Sequence, residues 1–214
     1  MRRISFLALL LFICAPLAAQ PVDPDKLWEA LMAGNRHYVA GTLTYDHLKE
    51  MREHLADHQN PPVTILSCAD SRVPPELIFN QSLGTLFVVR VAGNTPDTFD
   101  LASVEYGIAN GYTSLIVVLG HENCGAVKAA LAAEDPGTPS LLALVQRIRA
   151  SFPSAKWDEK DASVLKSAVQ ANARAAAALL PAQSKVIRDA VLSGRVRIIA
   201  AYYDLHAGVV EKVE

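Results

Sequence analysis

Short apolar runs and longer amphipathic stretches alternate along the chain, and together they predict an α/β fold. Nearly continuous apolar segments rich in β-branched residues are typical of buried strands. Four such segments predict strands at residues 63–66, 86–91, 114–119 and 195–203. The first would end at Cys68 and the third at Gly120-His121.

Helical spacing of apolar residues predicts the elements around these strands. Proline interrupts helical hydrogen bonding, so the Pro61-Pro62 pair is predicted to follow the end of the second helix. For the same reason, Pro181 is predicted to separate the last two helices. The predicted helices cover residues 25–40, 46–58, 98–110, 126–133, 140–150, 161–180 and 182–193.

Strands that alternate with helices predict a mostly parallel sheet of four or five strands flanked by helices. In such sheets, ligands bind beyond the carboxyl ends of the strands. The segments after the first and third predicted strands should therefore meet at one edge of the sheet. Those two segments carry most of the chain's candidate chemistry.

The first residues differ from the rest of the chain. A basic Arg2-Arg3 pair, an apolar run over 4–14 and small residues over 15–20 are typical of a secretory signal peptide. The alternative is a membrane anchor, but the run falls short of the ~20 residues that span a bilayer. We expect residues 1–19 to be cleaved, leaving 20–214 as a single periplasmic or secreted domain with no membrane association.

Composition adds little beyond this division. The 214 residues are 51% hydrophobic and 20% charged, with a formal net charge of −2. This profile suits one globular domain with a sizeable core. The balanced charge and the lack of a basic run argue against nucleic acid as a partner.

Two thiols and one imidazole form the main candidate site. Cys68 follows the first strand, and His121 and Cys124 follow the third. Zinc binds Cys sulfur and His nitrogen, and catalytic zinc sites keep three protein ligands and one open position. A disulfide is the alternative, because loss of Cys14 with the signal peptide leaves two cysteines in an oxidising compartment. A further alternative makes His121 a helix cap and Cys124 a small buried hydrophobe.

Asp70 and Arg72 extend this candidate site. A carboxylate beside the metal can accept a hydrogen bond that orients the attacking oxygen, and a bidentate arginine can hold that carboxylate in place. The same pairing would stop Asp70 from becoming a fourth zinc ligand, as it would be in a closed resting state. The alternative is an ion pair that only stabilises the loop.

These segments resemble a known family, the β-class carbonic anhydrases, and in detail its plant-type branch. The two zinc motifs carry the resemblance, and three further segments at 87–90, 103–106 and 203–208 accompany them. The motifs are Cys-Ala-Asp-Ser-Arg-Val at 68–73 and Gly-His-Glu-Asn-Cys-Gly-Ala-Val-Lys at 120–128. The resemblance implies one Zn²⁺ per subunit, held by Cys68, His121 and Cys124, with Asp70 and Arg72 as the catalytic dyad.

The resemblance also implies a substrate pocket and a partner subunit. Gln59 stands where the plant-type branch has a glutamine that donates to substrate, and Phe87 and Tyr106 match its apolar pocket. In the family this pocket is completed across a dimer interface, so a homodimer or higher oligomer is implied, with the N-terminal helices on the partner. The alternatives are a turn role for Gln59 and core roles for Phe87 and Tyr106. Arg90 would pair with a carboxylate at the dimer surface.

The predicted function is therefore zinc-dependent reversible hydration of CO₂ to bicarbonate and a proton by zinc-hydroxide attack, a carbonate dehydratase activity in carbon utilization. Two alternatives remain at this stage. One is a non-catalytic zinc-binding or redox protein that uses the same two cysteines. The other is a related hydrolase of carbon disulfide or carbonyl sulfide, which would share the fold and the metal site.

Overall fold

A computed structural model describes residues 22–45, 47–132, 135–152 and 161–214. The predicted signal peptide, residues 1–19, lies outside these ranges. Among the described residues, no helix combines the length and the apolar character needed to cross a bilayer.

One five-stranded sheet organises the chain, in the order β2-β1-β3-β4-β5. The first four strands run parallel, and β5 pairs antiparallel with β4. The strands are β1 (Val63–Ser67), β2 (Leu86–Arg90), β3 (Leu115–His121), β4 (Arg197–Tyr203) and β5 (Val210–Lys212). The predicted α/β class and the four parallel strands are confirmed. The pattern did not single out β5, because it is three residues long and two of them are exposed and charged.

Helices cover both faces of the sheet. They are α1 (Pro24–Val39), α2 (Leu48–His54), α3 (Pro75–Ile78), α4 (Thr98–Ala109), α5 (Gly125–Leu131), α6 (Pro139–Arg149), α7 (Ala162–Gln183) and α8 (Lys185–Leu192). A single 3-10 turn, Ala92–Asn94, follows β2.

Two helix predictions were wrong in extent. The second helix was expected over 46–58, but α2 covers only Leu48–His54, and Asp46 lies outside the described residues. None of its residues is buried and its N-cap makes no side-chain hydrogen bond, so little supports a longer helix.

The predicted helix break at Pro181 is also wrong, because α7 continues through this proline to Gln183. The break occurs at Ser184, whose hydroxyl accepts from the Ile187 N–H and begins α8.

Side chains along β1 and β3 alternate between two cores, as the period-two geometry of strands requires. On one face, Ile65 and Val117 pack with Trp28 and Leu31 of α1. On the other face, Leu66 and its neighbours pack against α4, α7 and α8. The helix α1 therefore covers the sheet of its own chain, and association of α1 or α2 with a partner subunit stays a prediction.

A third core lies beyond the carboxyl ends of the strands and positions the candidate site. It contains Cys68 and Cys124 together with apolar side chains of α5, α6 and α7. The site therefore lies at the sheet edge that the alternation of strands and helices predicted.

Candidate metal centre

Strand register brings the three predicted metal donors together. Ser67 of β1 pairs with Leu119 of β3, so Cys68, one residue further on, lies close to His121, the last residue of β3. A tight turn in which Asn123 has a left-handed φ of 55° then returns the chain to Cys124, the N-cap of α5. The two sulfurs and a His121 ring nitrogen all lie within 4.8 Å of one another.

The donor set fits a zinc ion. His121 is fully buried, and its Nδ1–H donates to the Glu122 carbonyl at 2.8 Å. This bond leaves Nε2 as the lone-pair nitrogen, and Nε2 has no hydrogen-bond partner within the described part of the chain. A buried imidazole nitrogen without a partner is costly unless it binds something. Cys68 and Cys124 are both free, buried thiols, so the donors for a Cys₂His zinc site are present.

The two thiols already favour a cation. The hydrogen bond from Cys124 lowers the pKa of Cys68, and the Gly93 N–H, 3.3 Å from the sulfur, lowers it further. The same bond to Cys68, together with burial, raises the pKa of Cys124, which keeps the shared proton. The lowered pKa of Cys68 favours its thiolate, the form that binds a metal ion, and metal binding would displace the proton that Cys124 keeps.

Asp70 and Arg72 form the predicted bidentate pair at the rim of this cluster. Arg72 Nε donates to Oδ1 at 2.9 Å and Nη2 donates to Oδ2 at 2.8 Å. The Arg72 backbone N–H adds a third bond to Oδ1 at 2.9 Å. These hydrogen bonds hold the pKa of the Asp70 carboxyl well below its usual range. Oδ2 lies 3.9 Å from His121 Nε2, so an ionised carboxylate faces the donor cluster without belonging to it.

Arg90 braces the loop that carries Cys68 and Asp70. Its Nε donates to the Cys68 carbonyl at 3.0 Å, and its Nη2 donates to the Asp70 carbonyl at 2.6 Å. A carboxylate partner at a dimer surface, the sequence-based alternative for Arg90, stays a prediction, because the contacts described are those of one chain. Backbone carbonyls leave no mark in a sequence, so residue types alone could not identify this role.

Gly93 is a second positioning residue that sequence analysis missed. Its φ of 68° favours glycine, and an added Cβ would lie 2.6 Å from the Ile148 Cδ1 atom. Its N–H faces the Cys68 sulfur, while its carbonyl accepts from the buried Asn172 side chain at 2.7 Å. The glycine therefore allows the backbone to pack closely against Ile148 while its N–H faces the sulfur.

The predicted substrate residues lie elsewhere in this chain. Gln59 is exposed and precedes the amino end of β1, whereas Cys68 follows its carboxyl end. At ~3.3 Å per residue, the intervening strand spans on the order of 15 Å. Phe87 stacks on Tyr106 with ring centroids 6.1 Å apart, and it pairs in register with Thr64, three residues before the end of β1. One chain does not bring Gln59 beside the metal donors, and the roles of these three residues stay predictions.

Comparison with known proteins connects this geometry to one family. A sequence profile described as carbonic anhydrase matches residues 63–210. Carbonic anhydrase 2 of Mycobacterium tuberculosis is 39% identical over 195 residues, covering 87% of this chain and 91% of the relative. A Coccomyxa β-carbonic anhydrase, solved with acetazolamide, has a TM-score of 0.70 and 26% identity, covering 90% of this chain and 86% of its own. A tetrameric β-carbonic anhydrase of Sordaria macrospora has a TM-score of 0.68 and 21% identity, covering 88% of this chain and 97% of its own.

Proposed function

The chain belongs to the β-carbonic anhydrase family, and we propose that it is a zinc enzyme that interconverts CO₂ and bicarbonate. One observation carries the proposal: the buried, unpartnered Nε2 of His121 lies with two thiol sulfurs beside a carboxylate held by Arg72. A zinc-binding protein without catalysis has no need of that oriented carboxylate. A disulfide would leave the buried Nε2 atom without a partner.

Cys68, His121 and Cys124 would hold the ion. When bound, Zn²⁺ supplies a Lewis acid that lowers the pKa of water towards ~7. Two thiolates make the ion less electrophilic, so the surrounding side chains must orient the reacting water well.

Asp70 performs that orientation in the proposed mechanism. Its Oδ2 atom accepts a hydrogen bond from the reacting water, so that an oxygen lone pair points at the carbon of CO₂. Because the pKa of Asp70 is far below neutral, the carboxylate accepts the hydrogen bond without keeping the proton. The proton released when water adds to CO₂ therefore passes to buffer, and bicarbonate leaves.

The substrate pocket needs a second subunit in this proposal. Gln59 would donate a hydrogen bond to CO₂ or bicarbonate, and Phe87 and Tyr106 would line an apolar wall. The exposure of Gln59 and its position at the amino end of β1 support a contribution to the site of a neighbouring copy. We therefore propose a homodimer or higher oligomer.

Export is proposed on sequence grounds. The basic start, apolar run and small residues over 1–20 support cleavage near residue 19 and a periplasmic or secreted location. N-terminal sequencing of the protein recovered from culture would test this, and an intact residue 1 would contradict it.

Stopped-flow CO₂ hydration, measured with zinc content across pH, tests the proposed function. The expected result is one zinc per chain and a rate that rises with pH, is lost on chelation and returns with added zinc. Activity that survives complete zinc removal would contradict the proposal. Turnover of carbon disulfide or carbonyl sulfide without turnover of CO₂ would instead identify the related hydrolase.

A further inference from the structure

Glu122, between two of the proposed zinc ligands, is fixed at three points. Its backbone N–H donates to the Tyr203 carbonyl at 2.8 Å, which extends the pairing of β3 with β4. Its carbonyl accepts from His121 Nδ1 at 2.8 Å and thereby orients the imidazole. Its side chain reaches away from the metal donors to the turn after β4.

One oxygen of the Glu122 carboxylate binds that turn. A single oxygen, Oε2, accepts from the Leu205 N–H at 3.0 Å, from the His206 N–H at 3.3 Å and from His206 Nδ1 at 2.8 Å. Glu122, Asp204 and His206 do offer donor atoms within 4.8 Å of one another. Since these groups already bind one another, the cluster is a hydrogen-bonded brace and not a second metal site.

The turn after β4, residues 204–210, is held in place by several hydrogen bonds. Asp204 Oδ1 accepts from the His206 and Ala207 N–H groups at 2.9 and 2.8 Å. The buried Asn35 side chain of α1 donates to the Gly208 carbonyl at 2.9 Å and accepts from the Val210 N–H at 3.0 Å. A carboxylate attached here is therefore held by α1 and by the sheet together.

We propose that Glu122 is a positioning residue that fixes the His121 and Cys124 donors. The peptide after Glu122 leads into Asn123, whose left-handed φ of 55° turns the chain toward Cys124. The Glu122 carboxylate anchors this turn on one side, and the Tyr203 carbonyl anchors it through the Glu122 N–H on the other. This inference rests on the proposed zinc site and adds a residue to the set that shapes it.

Three variants test the proposal with zinc as the probe: Glu122→Ala, Glu122→Gln and His206→Ala. Glu211→Gln is the matched control, because the Glu211 carboxylate lies on β5 and pairs with Lys166 at 2.8 Å. Zinc affinity by chelator competition and the absorption bands of the cobalt(II)-loaded protein are measured on the full mature chain. Cobalt bands report the arrangement of the donor atoms, so a role limited to general stability would not shift them.

We expect Glu122→Ala to weaken zinc binding about tenfold or more, the size typical for groups that orient metal ligands, and to shift the cobalt bands. Glu122→Gln should restore both within about threefold, because its amide oxygen can still accept the two backbone N–H groups. His206→Ala, which keeps those two donors, should resemble Glu122→Gln. Glu122→Ala with wild-type affinity and an unchanged cobalt spectrum would overturn the proposal. Failure of the wild-type chain to bind zinc would overturn the proposed function instead.

Discussion

At the candidate site, Asp70 and Arg72 divide one task. Asp70 presents its Oδ2 atom 3.9 Å from His121 Nε2, and Arg72 fixes the carboxylate with one side-chain bond to Oδ2 and with one side-chain and one backbone bond to Oδ1. Because Arg72 is half exposed, the pair adds little to stability, and its value lies in geometry. Substitution of Arg72 should therefore affect rate far more than folding.

We expect Arg72→Ala to reduce CO₂ hydration about a hundredfold, the size expected when a reacting group is displaced by about an ångström. Arg72→Lys should recover only part of this loss, because an ammonium cannot form the two parallel bonds. The measurement is stopped-flow hydration at matched zinc content. Arg174→Ala, which removes an arginine that donates to the Glu214 carbonyl, is the control and should keep wild-type rates. Full activity in Arg72→Ala would exclude the proposed orientation of Asp70.

A second residue-level prediction concerns pH. The hydrogen bond and charge of Glu122 raise the pKa of His206 above its ordinary value of about 6.5. A raised folded-state pKa contributes stability that is fully present below the unfolded pKa and is lost as pH rises through the folded pKa. The His206→Ala variant should thus be less stable than wild type at pH 5.5, and this difference should shrink by pH 9. Urea unfolding of both zinc-loaded proteins measures it.

The control for this pH dependence is His54→Ala. His54 is an exposed histidine that has no carboxylate partner in the described part of the chain. Its loss removes no ion pair with a carboxylate, so the deficit expected of His206→Ala at pH 5.5 should be absent. A His206→Ala deficit that grows between pH 5.5 and 9 would have the opposite sign to the prediction.

The boundary between α7 and α8 is determined by an N-cap and not by a proline. Proline signalled a break at Pro181, but a proline two residues before the end of α7 removes only one hydrogen bond of the final turn. Ser184, 1% exposed, begins α8 by capping the Ile187 N–H at 3.1 Å. The buried cap determines the boundary because an uncapped N–H there would lose its partner.

Substitutions can separate these two residues. Ser184→Ala should lower the free energy of unfolding by about 1 kcal/mol, since it removes an N-cap oxygen. Pro181→Ala should not lower it, because alanine has the higher helix propensity and restores an N–H donor. Thermal and urea unfolding of both variants give the comparison. A larger loss for Pro181→Ala than for Ser184→Ala would mean that the proline fixes the boundary after all.

The contact between α1 and the segment after α3 depends on one glycine. A Cβ added at Gly34 would lie 1.7 Å from the Phe79 carbonyl oxygen, and backbone cannot yield as a side chain can. We expect Gly34→Ala to destabilise the fold by more than about 2 kcal/mol. Glu29→Ala, at an exposed position of the same helix, should stay within about 0.5 kcal/mol of wild type. Equal stability of the two variants in urea would contradict this account of α1.

Across the whole molecule, the sequence predicted what local patterns encode. Strand runs, their carboxyl-end segments and the ligand types at Cys68, His121 and Cys124 sufficed to predict a parallel sheet with a metal site at one edge. Sequence could not predict the roles of Arg90, Gly93 and Glu122. Each of these residues contacts groups that are distant in the chain, and most of those groups belong to the backbone. The spacing of residues in the sequence does not identify such partners, because they come together only through the register of the paired strands.

Assembly is the remaining question at this scale. Gln59 lies at the amino end of β1, and the metal donors lie beyond its carboxyl end. If subunits share sites, Gln59 of one copy serves the Asp70–Arg72 pair of the other. Gln59→Ala and Arg72→Ala should each then lose about a hundredfold in rate, Gln59→Ala because one substrate hydrogen bond is lost. In each shared site, however, the two substituted residues would come from different subunits.

Mixed dimers test this sharing directly. In a heterodimer of Gln59→Ala and Arg72→Ala chains, one shared site receives both defects and the other receives neither. Purified heterodimers carrying two different tags should therefore recover about half of wild-type activity. In a heterodimer of Asp70→Asn and Arg72→Ala chains, each site receives one defect, so this control should stay inactive. If sites lie within single chains, the first heterodimer would also carry one defect in every site. Its activity would then remain at the level of the parent variants, and the shared pocket would be excluded.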